Sequence, residues 1–180
     1  NNTITSATCN SNNYGIYYYS TSNNNTITSA TCNSNNNYGI YYYSGCCNNT
    51  ITSATCNSNN YGIYYSTSNN NTITSATCNS NSSGIYYYSS SNNNTIYALS
   101  TTGNTTAGIY SDNANNICHS ATIAESTKVA IGTDNYANTR QYINNLGGYS
   151  YVYSNYATAN SQNATAGGTG KEWKFAITNA

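Results

Sequence analysis

The chain has 180 residues, of which only 4% are charged, and its formal net charge at pH 7 is zero. Ordinary soluble domains carry about 25% charged residues, so this chain has a polar but almost uncharged surface. Nucleic acids and anionic membranes are not expected as partners, because phosphate binding requires clustered Lys or Arg. No stretch approaches the roughly 18 apolar residues of a membrane span, and seven Cys favour an oxidising, extracellular setting.

A nine-residue segment at the start of the chain returns almost unchanged further along. It reads Asn-Asn-Thr-Ile-Thr-Ser-Ala-Thr-Cys, and its copies begin 22–24 residues apart at Asn1, Asn24, Asn48 and Asn70, with a degraded copy from Asn93. Every copy is followed by Gly-Ile-Tyr, which begins at Gly15, Gly39, Gly62, Gly84 and Gly108. Self-similarity at a fixed period of about 20–50 residues is typical of solenoids and other repeat architectures.

Each repeat contains two strand-like segments and turn-forming clusters between them. Thr-Ile-Thr alternates polar and apolar residues with the period of a strand, and Gly-Ile-Tyr-Tyr is β-branched and aromatic. The Asn, Ser and Gly clusters tolerate the left-handed backbone of turns. We therefore predict an all-β solenoid with 22–24 residues per coil, in which each coil buries its Ile against the next one.

The run Asn-Asn-Thr-Ile-Thr followed by Gly-Ile-Tyr-Tyr resembles the coils of NosD-type, carbohydrate-associated β-helices of archaeal and bacterial surface proteins. The resemblance covers residues 1 to about 116, and it implies a right-handed parallel β-helix, with five coils, in that part of the chain. It implies a fold and no particular activity, since such coils serve adhesion, envelope structure and polysaccharide chemistry alike.

Equivalent residues of stacked coils form columns, so each repeat position is interpreted as a ladder. Two inward columns of Ile are predicted, with a third, narrower column of Ala that ends in Leu. These are Ile4, Ile27, Ile51, Ile73 and Ile96; Ile16, Ile40, Ile63, Ile85 and Ile109; and Ala7, Ala30, Ala54, Ala76 and Leu99.

One aromatic column is expected on the outside, opposite in phase to its neighbouring Ile. It consists of Tyr17, Tyr41, Tyr64, Tyr86 and Tyr110. Stacked rings on a sheet support one another by about 0.5–1.5 kcal/mol per pair, so the column is interpreted either as simple ladder stabilisation or as a contact stripe for glycans or for other subunits.

Two further polar columns have alternative interpretations. The outward Thr-x-Thr pairs, from Thr3 and Thr5 to Thr72 and Thr74, are good strand formers and also resemble the flat face of ice-binding solenoids; we favour the former. The Asn-Asn corners predict amide ladders, but eight Asn also begin Asn-x-Ser/Thr sequons that can carry glycans. These are Asn1, Asn24, Asn48, Asn70, Asn81, Asn93, Asn104 and Asn163.

Four cysteines occupy one column: Cys9, Cys32, Cys56 and Cys78. Neighbouring coils lie within disulfide distance, so Cys9–Cys32 and Cys56–Cys78 bridges are one possibility. Buried thiols that pack as small apolar groups are the other, and the one we favour.

Cys46 and Cys47 replace the Thr21-Ser22 turn of the first repeat, and we expect them on an exposed corner. With Cys118 they are candidates for cross-links between subunits. No metal site is predicted, because the chain has one His, His119, and no Cys-x-x-Cys.

The charged residues begin at Asp112, and residues 117–180 are predicted to form an irregular coil and a C-terminal hairpin. Tyr149 to Tyr153 and Trp173 to Ile177 both alternate as strands do, with a Gly-rich connection between them. We expect this hairpin to act as a cap or docking segment anchored by Trp173 and Phe175.

These features favour a structural role at the cell surface. The first coil starts at residue 1 with an open strand edge, which attracts other edges, so self-assembly into a fibre, sheath or surface layer is the preferred function. The alternative is a surface-displayed glycan-binding or ice-binding module. Catalysis and cofactors are not expected, because the four carboxylates that glycan chemistry would need are scattered after residue 111.

Overall fold

The computed structural model describes residues 1–111, 116–118, 121–124, 131–133, 140–141, 150–154 and 171–175, with side chains for 1–111, 116 and 118. Every regular element in these ranges is a strand. The strands are β1 Thr3–Thr5, β2 Tyr14–Tyr19, β3 Thr26–Thr28, β4 Tyr38–Tyr43, β5 Thr50–Thr52, β6 Ala54–Thr55, β7 Tyr61–Ser66, β8 Thr72–Ile73, β9 Ala76–Thr77, β10 Ser83–Tyr88, β11 Thr95–Ile96, β12 Leu99–Thr102, β13 Ala107–Ser111, β14 Ile117–Cys118, β15 Ala121–Ala124, β16 Ile131–Thr133, β17 Arg140–Gln141, β18 Ser150–Ser154 and β19 Lys171–Phe175.

Three sheets run along the solenoid, one for each side of a coil, and their strands are parallel except for the last pair of the third sheet. The first has the order β1-β3-β5-β8-β11-β14-β17, the second β6-β9-β12-β15, and the third β2-β4-β7-β10-β13-β16-β18-β19. Equivalent repeat residues pair directly, as Ile4 does with Ile27 and Ile16 with Ile40. The predicted all-β, parallel β-helix is therefore confirmed.

All three sheets continue past residue 116. β14, β15 and β16 pair in parallel with β11, β12 and β13, and β16 pairs in parallel with β18. The stacked sheets therefore extend into the segment after residue 116, where the sequence repeat is lost. A strand can pair with the edge strand of a sheet if its apolar and polar residues alternate. Coils can therefore stack even where the sequence repeat is no longer recognisable.

The corners of each coil are made by residues with left-handed backbone. Ser29 and Ser53 turn the chain between the first and second sheets at φ 54°, and Ser34 and Ser58 turn it after the second sheet at φ 55° and 57°. Few side chains enter this region easily, and a small polar residue is one that can. The repeat thus places Ser where the coil must bend.

The interior is filled by the predicted columns and by one that the sequence analysis did not single out. All ten Ile of the two predicted columns lie inside, with Ile4 half-buried in the first coil. A column of tyrosines joins them, with rings stacked at 4.9–5.1 Å between centroids: Tyr18, Tyr42, Tyr65 and Tyr87.

The glycines of the first three Gly-Ile-Tyr segments are required by the backbone of the next coil and by the cysteine column. A Cβ added to Gly39 would lie 2.6 Å from the carbonyl oxygen of Gly62 and 3.0 Å from the Cβ of Cys56. Gly15 and Gly62 meet Cys32 and Cys78 in the same way. The third sheet and the corner before it therefore approach each other too closely for any side chain at this position.

The C-terminal strands form the predicted hairpin. β18 and β19 pair antiparallel, from Ser150 opposite Phe175 to Ser154 opposite Lys171. Since β18 also pairs with β16, the hairpin extends the third sheet. The side chains of Trp173 and Phe175 lie outside the described part of the structure. Among the described residues, no helix could span a membrane.

Candidate functional site

The outer surface of the third sheet carries three columns of tyrosine, which we call the tyrosine face. The middle column is the predicted stripe, and the sequence analysis did not single out the two that flank it. The first flank contains Tyr14, Tyr38 and Tyr61, the middle column Tyr17, Tyr41, Tyr64, Tyr86 and Tyr110, and the second flank Tyr19, Tyr43 and Tyr88.

The rings of this face stack along the solenoid axis. Tyr17 and Tyr41 lie 5.0 Å apart with an interplanar angle of 18°, and Tyr14 and Tyr38 lie 5.4 Å apart at 16°. Neighbouring rings thus cover one another's faces in these pairs. At these positions the tyrosine face therefore exposes a row of ring edges and hydroxyl groups.

The middle column changes at Tyr64, and from there on its rings meet edge to face. The Tyr64 ring stands at 83° to Tyr41 and 81° to Tyr86, and the Tyr86 ring stands at 76° to Tyr110. Only 8% of Tyr64 is exposed, whereas Tyr17 is 43% exposed. Ser66 supplies no ring to the second flank of this coil, and Tyr64 comes within 6.1 Å of Tyr88 in the next coil. The face is therefore most regular over the first two coils.

Four phenols of this face remain neutral well above ordinary pH. Burial raises the pKa of Tyr17, Tyr38, Tyr41 and Tyr64, and neighbouring phenols raise it further. Residues 1–111 contain no Asp, Glu, Lys, Arg or His. The tyrosine face is consequently an uncharged surface of hydroxyl donors and acceptors with aromatic edges between them.

The Thr-x-Thr pairs form an in-register array on the first sheet. Thr3 pairs with Thr26, and Thr26 with Thr50, while Thr5, Thr28 and Thr52 form a second row. The second row ends at the fifth coil, where Tyr97 takes the position. The array has the predicted register, and nothing in its contacts distinguishes an ice-binding face from an ordinary strand surface.

The Asn-Asn corners do form amide ladders, and the second Asn of each pair makes them. Asn49 accepts hydrogen bonds from the backbone N and the Nδ2 of Asn25 at 2.9 and 3.0 Å, and donates the same two bonds to Asn71. A parallel ladder before the third sheet joins Asn35, Asn59 and Asn81. The first Asn of each pair stays exposed.

The cysteine column is a column of buried thiols. The thiols of Cys9, Cys32, Cys56 and Cys78 are free. Cys32, Cys56 and Cys78 are fully buried, and hydrogen bonds to the Cys32 and Cys78 thiols together with burial raise the pKa of Cys56. The interpretation as packed thiols agrees with these positions, and the proposed Cys9–Cys32 and Cys56–Cys78 bridges are not present.

Of the three candidates for cross-links, Cys46 and Cys47 were expected on an exposed corner. Cys46 is fully buried and Cys118 is 3% exposed, and only Cys47 is half-buried. The Cys46 thiol donates to the carbonyl oxygen of Tyr43 at 3.1 Å and so closes a turn. Cys118 pairs with Ile96 and continues an inward column. The expected exposure is therefore wrong for Cys46, because the turn folds inward.

The described residues contain no group of three or more His, Cys, Asp or Glu that could hold a metal ion. His119 lies outside them. A family model described as "Periplasmic copper-binding protein (NosD)" matches residues 1–179. No curated protein and no solved structure matches the chain.

Proposed function

Because the chain belongs to the NosD family, a family of periplasmic and surface β-helices, we propose that this surface-associated β-solenoid pairs laterally with copies of itself through the tyrosine face. The role is structural and extracellular, without catalysis, since residues 1–111 contain no carboxylate to act as acid or base.

The observation that carries this proposal is the in-register stacking of outward tyrosines. Identical side chains that stack at the spacing of strands can interdigitate with the same pattern on a facing sheet, as they do in steric zippers. Tyr17 on Tyr41 and Tyr19 on Tyr43, with centroids 5.0 and 5.6 Å apart, form ridges of this kind. A second copy has ridges with identical spacing.

Two properties of the surface support association. Tyr19 is 60% exposed, Tyr88 46% and Tyr17 43%, which places several large aromatic groups in one patch. Contiguous exposed patches of this kind mark interaction sites. Residues 1–111 also lack charged side chains, so no like-charge repulsion keeps two tyrosine faces apart.

A fibre, sheath or surface layer needs a second contact. Two copies that join through the same face make a closed pair. Disulfides are not needed for the pairing.

Neutral polysaccharide is the second candidate partner. Phenolic hydroxyls accept and donate hydrogen bonds, and the tyrosine face presents them in rows beside uncharged Asn and Thr. Stacked pairs such as Tyr17 and Tyr41 cover one another's ring faces, so sugars would be held by hydrogen bonds at ring edges more than by stacking on rings. Retention on neutral polysaccharide would distinguish this role from self-association.

Copper, named in the description of the family, does not fit the described residues. Cu(II) favours imidazole and oxygen ligands in a tetragonal arrangement, and Cu(I) favours thiolates. The described residues contain no His, and they hold no group of three or more His, Cys, Asp or Glu that could bind a metal ion. No copper-dependent role is proposed.

Sedimentation velocity at rising protein concentration tests the pairing. Tyr19→Ser, Tyr43→Ser and Tyr88→Ser are combined, because the chain itself carries Ser66 at this position of the third coil. We expect the wild-type protein to form dimers or larger species, and the triple variant to need at least a tenfold higher concentration. Tyr97→Ser, on another side of the coil, serves as the control.

Thermal melts should show that the triple variant stays folded. A wild-type protein that remains monomeric at every concentration would refute the proposal. So would a folded triple variant that associates as strongly as the Tyr97→Ser control.

A further inference from the structure

The corner that leads into the Thr-x-Thr strands directs two adjacent asparagines to opposite sides. The second Asn of each pair, as in Asn49 and Asn71, is 1% exposed and lies in the amide ladder. The first Asn is exposed in every coil, and from the second coil to the fifth its φ lies between 57° and 59°. These first residues, which we call the outer asparagine column, are Asn24, Asn48, Asn70 and Asn93.

Hydrogen bonds hold the backbone of the outer asparagine column, whereas its side-chain amides make none to other described residues. The backbone N of Asn24 donates to the carbonyl oxygen of Cys47 at 3.2 Å, and that of Asn70 to Asn92 at 3.2 Å. Among the described residues, the side chains of the outer column have no hydrogen-bond partner. Each of these residues also begins an Asn-Asn-Thr sequon.

We propose that the outer asparagine column carries N-linked glycans. The donor is an oligosaccharide linked to a polyprenyl diphosphate, and a transferase of the cell provides the catalysis. The Nδ2 atom of Asn forms a bond to the anomeric carbon, the bond from that carbon to the phosphate oxygen breaks, and the lipid diphosphate leaves. The amide loses one proton to a base of the transferase, so the step needs no oxidant.

Two other sequons in the solenoid cannot carry such a group. Asn81 and Asn104 are each 2% exposed. Their Nδ2 atoms donate to the carbonyl oxygens of Cys56 and Cys78, at 3.0 and 2.9 Å. A sugar on either atom would have no space and would break the ladder, so a chain modified there would not close its coils.

Glycans at these positions would increase the solubility of this surface. Residues 1–111 have no charge to keep copies apart in solution, and a glycan is bulky and solubilising. The column lies where the third sheet ends and the first begins, beside the tyrosine face and not on it. This inference therefore does not depend on the proposed self-association.

Peptide mapping by mass spectrometry, on protein isolated from the cells that produce it, tests the proposal. We expect a glycan on one or more of Asn24, Asn48, Asn70 and Asn93, and none on Asn81 or Asn104. Thr50→Val removes the sequon of Asn48 and keeps a β-branched residue in the strand, whereas Thr50→Ser keeps the sequon. The glycan on Asn48 should disappear in the first variant and remain in the second.

An outer column without any glycan would overturn the proposal. A folded protein with glycans on Asn81 or Asn104 would also overturn it, because the structural distinction between exposed and buried sequons would then be wrong.

Discussion

Cys46 and the two serines that follow it in the same column, Ser68 and Ser91, close equivalent turns after the tyrosine strands. The Cys46 thiol donates to the Tyr43 carbonyl oxygen at 3.1 Å, and the Ser91 hydroxyl to the Tyr88 carbonyl oxygen at 2.7 Å. A thiol thus replaces a hydroxyl with the same function. Adjacent cysteines in a sequence give no sign of this, since strand alternation does not extend through a turn.

Replacing Cys46 by Ser should therefore leave the melting temperature unchanged, because Ser makes this bond in the next two coils. Cys46→Ala should cost about 1 kcal/mol, the usual net value of one hydrogen bond. Thermal unfolding of the two variants would measure this. Equal destabilisation by both would show that packing of the sulfur matters more than the bond.

The inward tyrosines lead to a second prediction. The hydroxyls of Tyr42 and Tyr65 are buried and have no hydrogen-bond partner among the described residues. An unsatisfied buried group costs about 1–3 kcal/mol, so Tyr42→Phe should be at least as stable as the wild type. Tyr42→Ala should lose about 3–5 kcal/mol through the cavity that it leaves.

Denaturant unfolding would compare the two Tyr42 variants. A clear loss of stability in Tyr42→Phe would mean that the hydroxyl is hydrogen-bonded, for instance to water inside the solenoid. The inward position of Tyr18, Tyr42, Tyr65 and Tyr87 was itself predictable, since each lies two residues after an inward Ile.

At the scale of the element, the close approach of successive strands of the third sheet limits substitution at the glycine of Gly-Ile-Tyr. An added methyl at Gly39 would meet the backbone of Gly62 at 2.6 Å, where no flexible side chain can yield. We expect Gly39→Ala to destabilise the protein by about 1–3 kcal/mol or more, as overpacking does.

Gly103→Ser provides the matched control. Its added Cβ would lie 3.6 Å from the Ser80 hydroxyl oxygen, an ordinary contact, and Ser80 already adopts φ 57° at the equivalent corner. Near-wild-type stability of Gly103→Ser, together with a large loss in Gly39→Ala, would confirm the account. Similar melting temperatures for both variants would contradict it.

At the scale of the whole molecule, we expect the fold to remain stable in acid and to lose stability in alkali. Burial raises the pKa of Tyr42, Tyr65 and Tyr87 above the ordinary value of about 10. The neutral phenol is the form that the fold favours, so its contribution to stability is complete below about pH 10 and is lost as the pH rises towards the folded-state pKa. Residues 1–111 have no carboxylate whose protonation could weaken the coils.

Circular dichroism melts across the pH range would test this. The melting temperature of the coils should stay nearly constant down to about pH 3 and fall above about pH 10. A marked loss near pH 4, where carboxylates titrate, would indicate that the charged C-terminal part governs the stability of the solenoid.

The repeat period was enough to predict the parallel coils, their register and the Ile columns, because stacked coils bring equivalent residues together. The repeat period could not predict whether corner residues such as Cys46 and Asn24 are buried or exposed. Their positions depend on left-handed backbone in the turns, where the alternation of strand residues does not apply. The repeat also could not predict that strand β16 pairs with β13, because the residues of β16 no longer resemble the Gly-Ile-Tyr motif.

Negative-stain electron microscopy of the protein, with and without reductant, tests the central claim most directly. The account predicts rod-shaped solenoids joined along their sides, unchanged by reductant because Cys32, Cys46, Cys56 and Cys78 are buried as free thiols. Separate single rods in both conditions would contradict association through the tyrosine face. Paired rods that separate only on reduction would show that disulfides, and not tyrosines, hold the copies together.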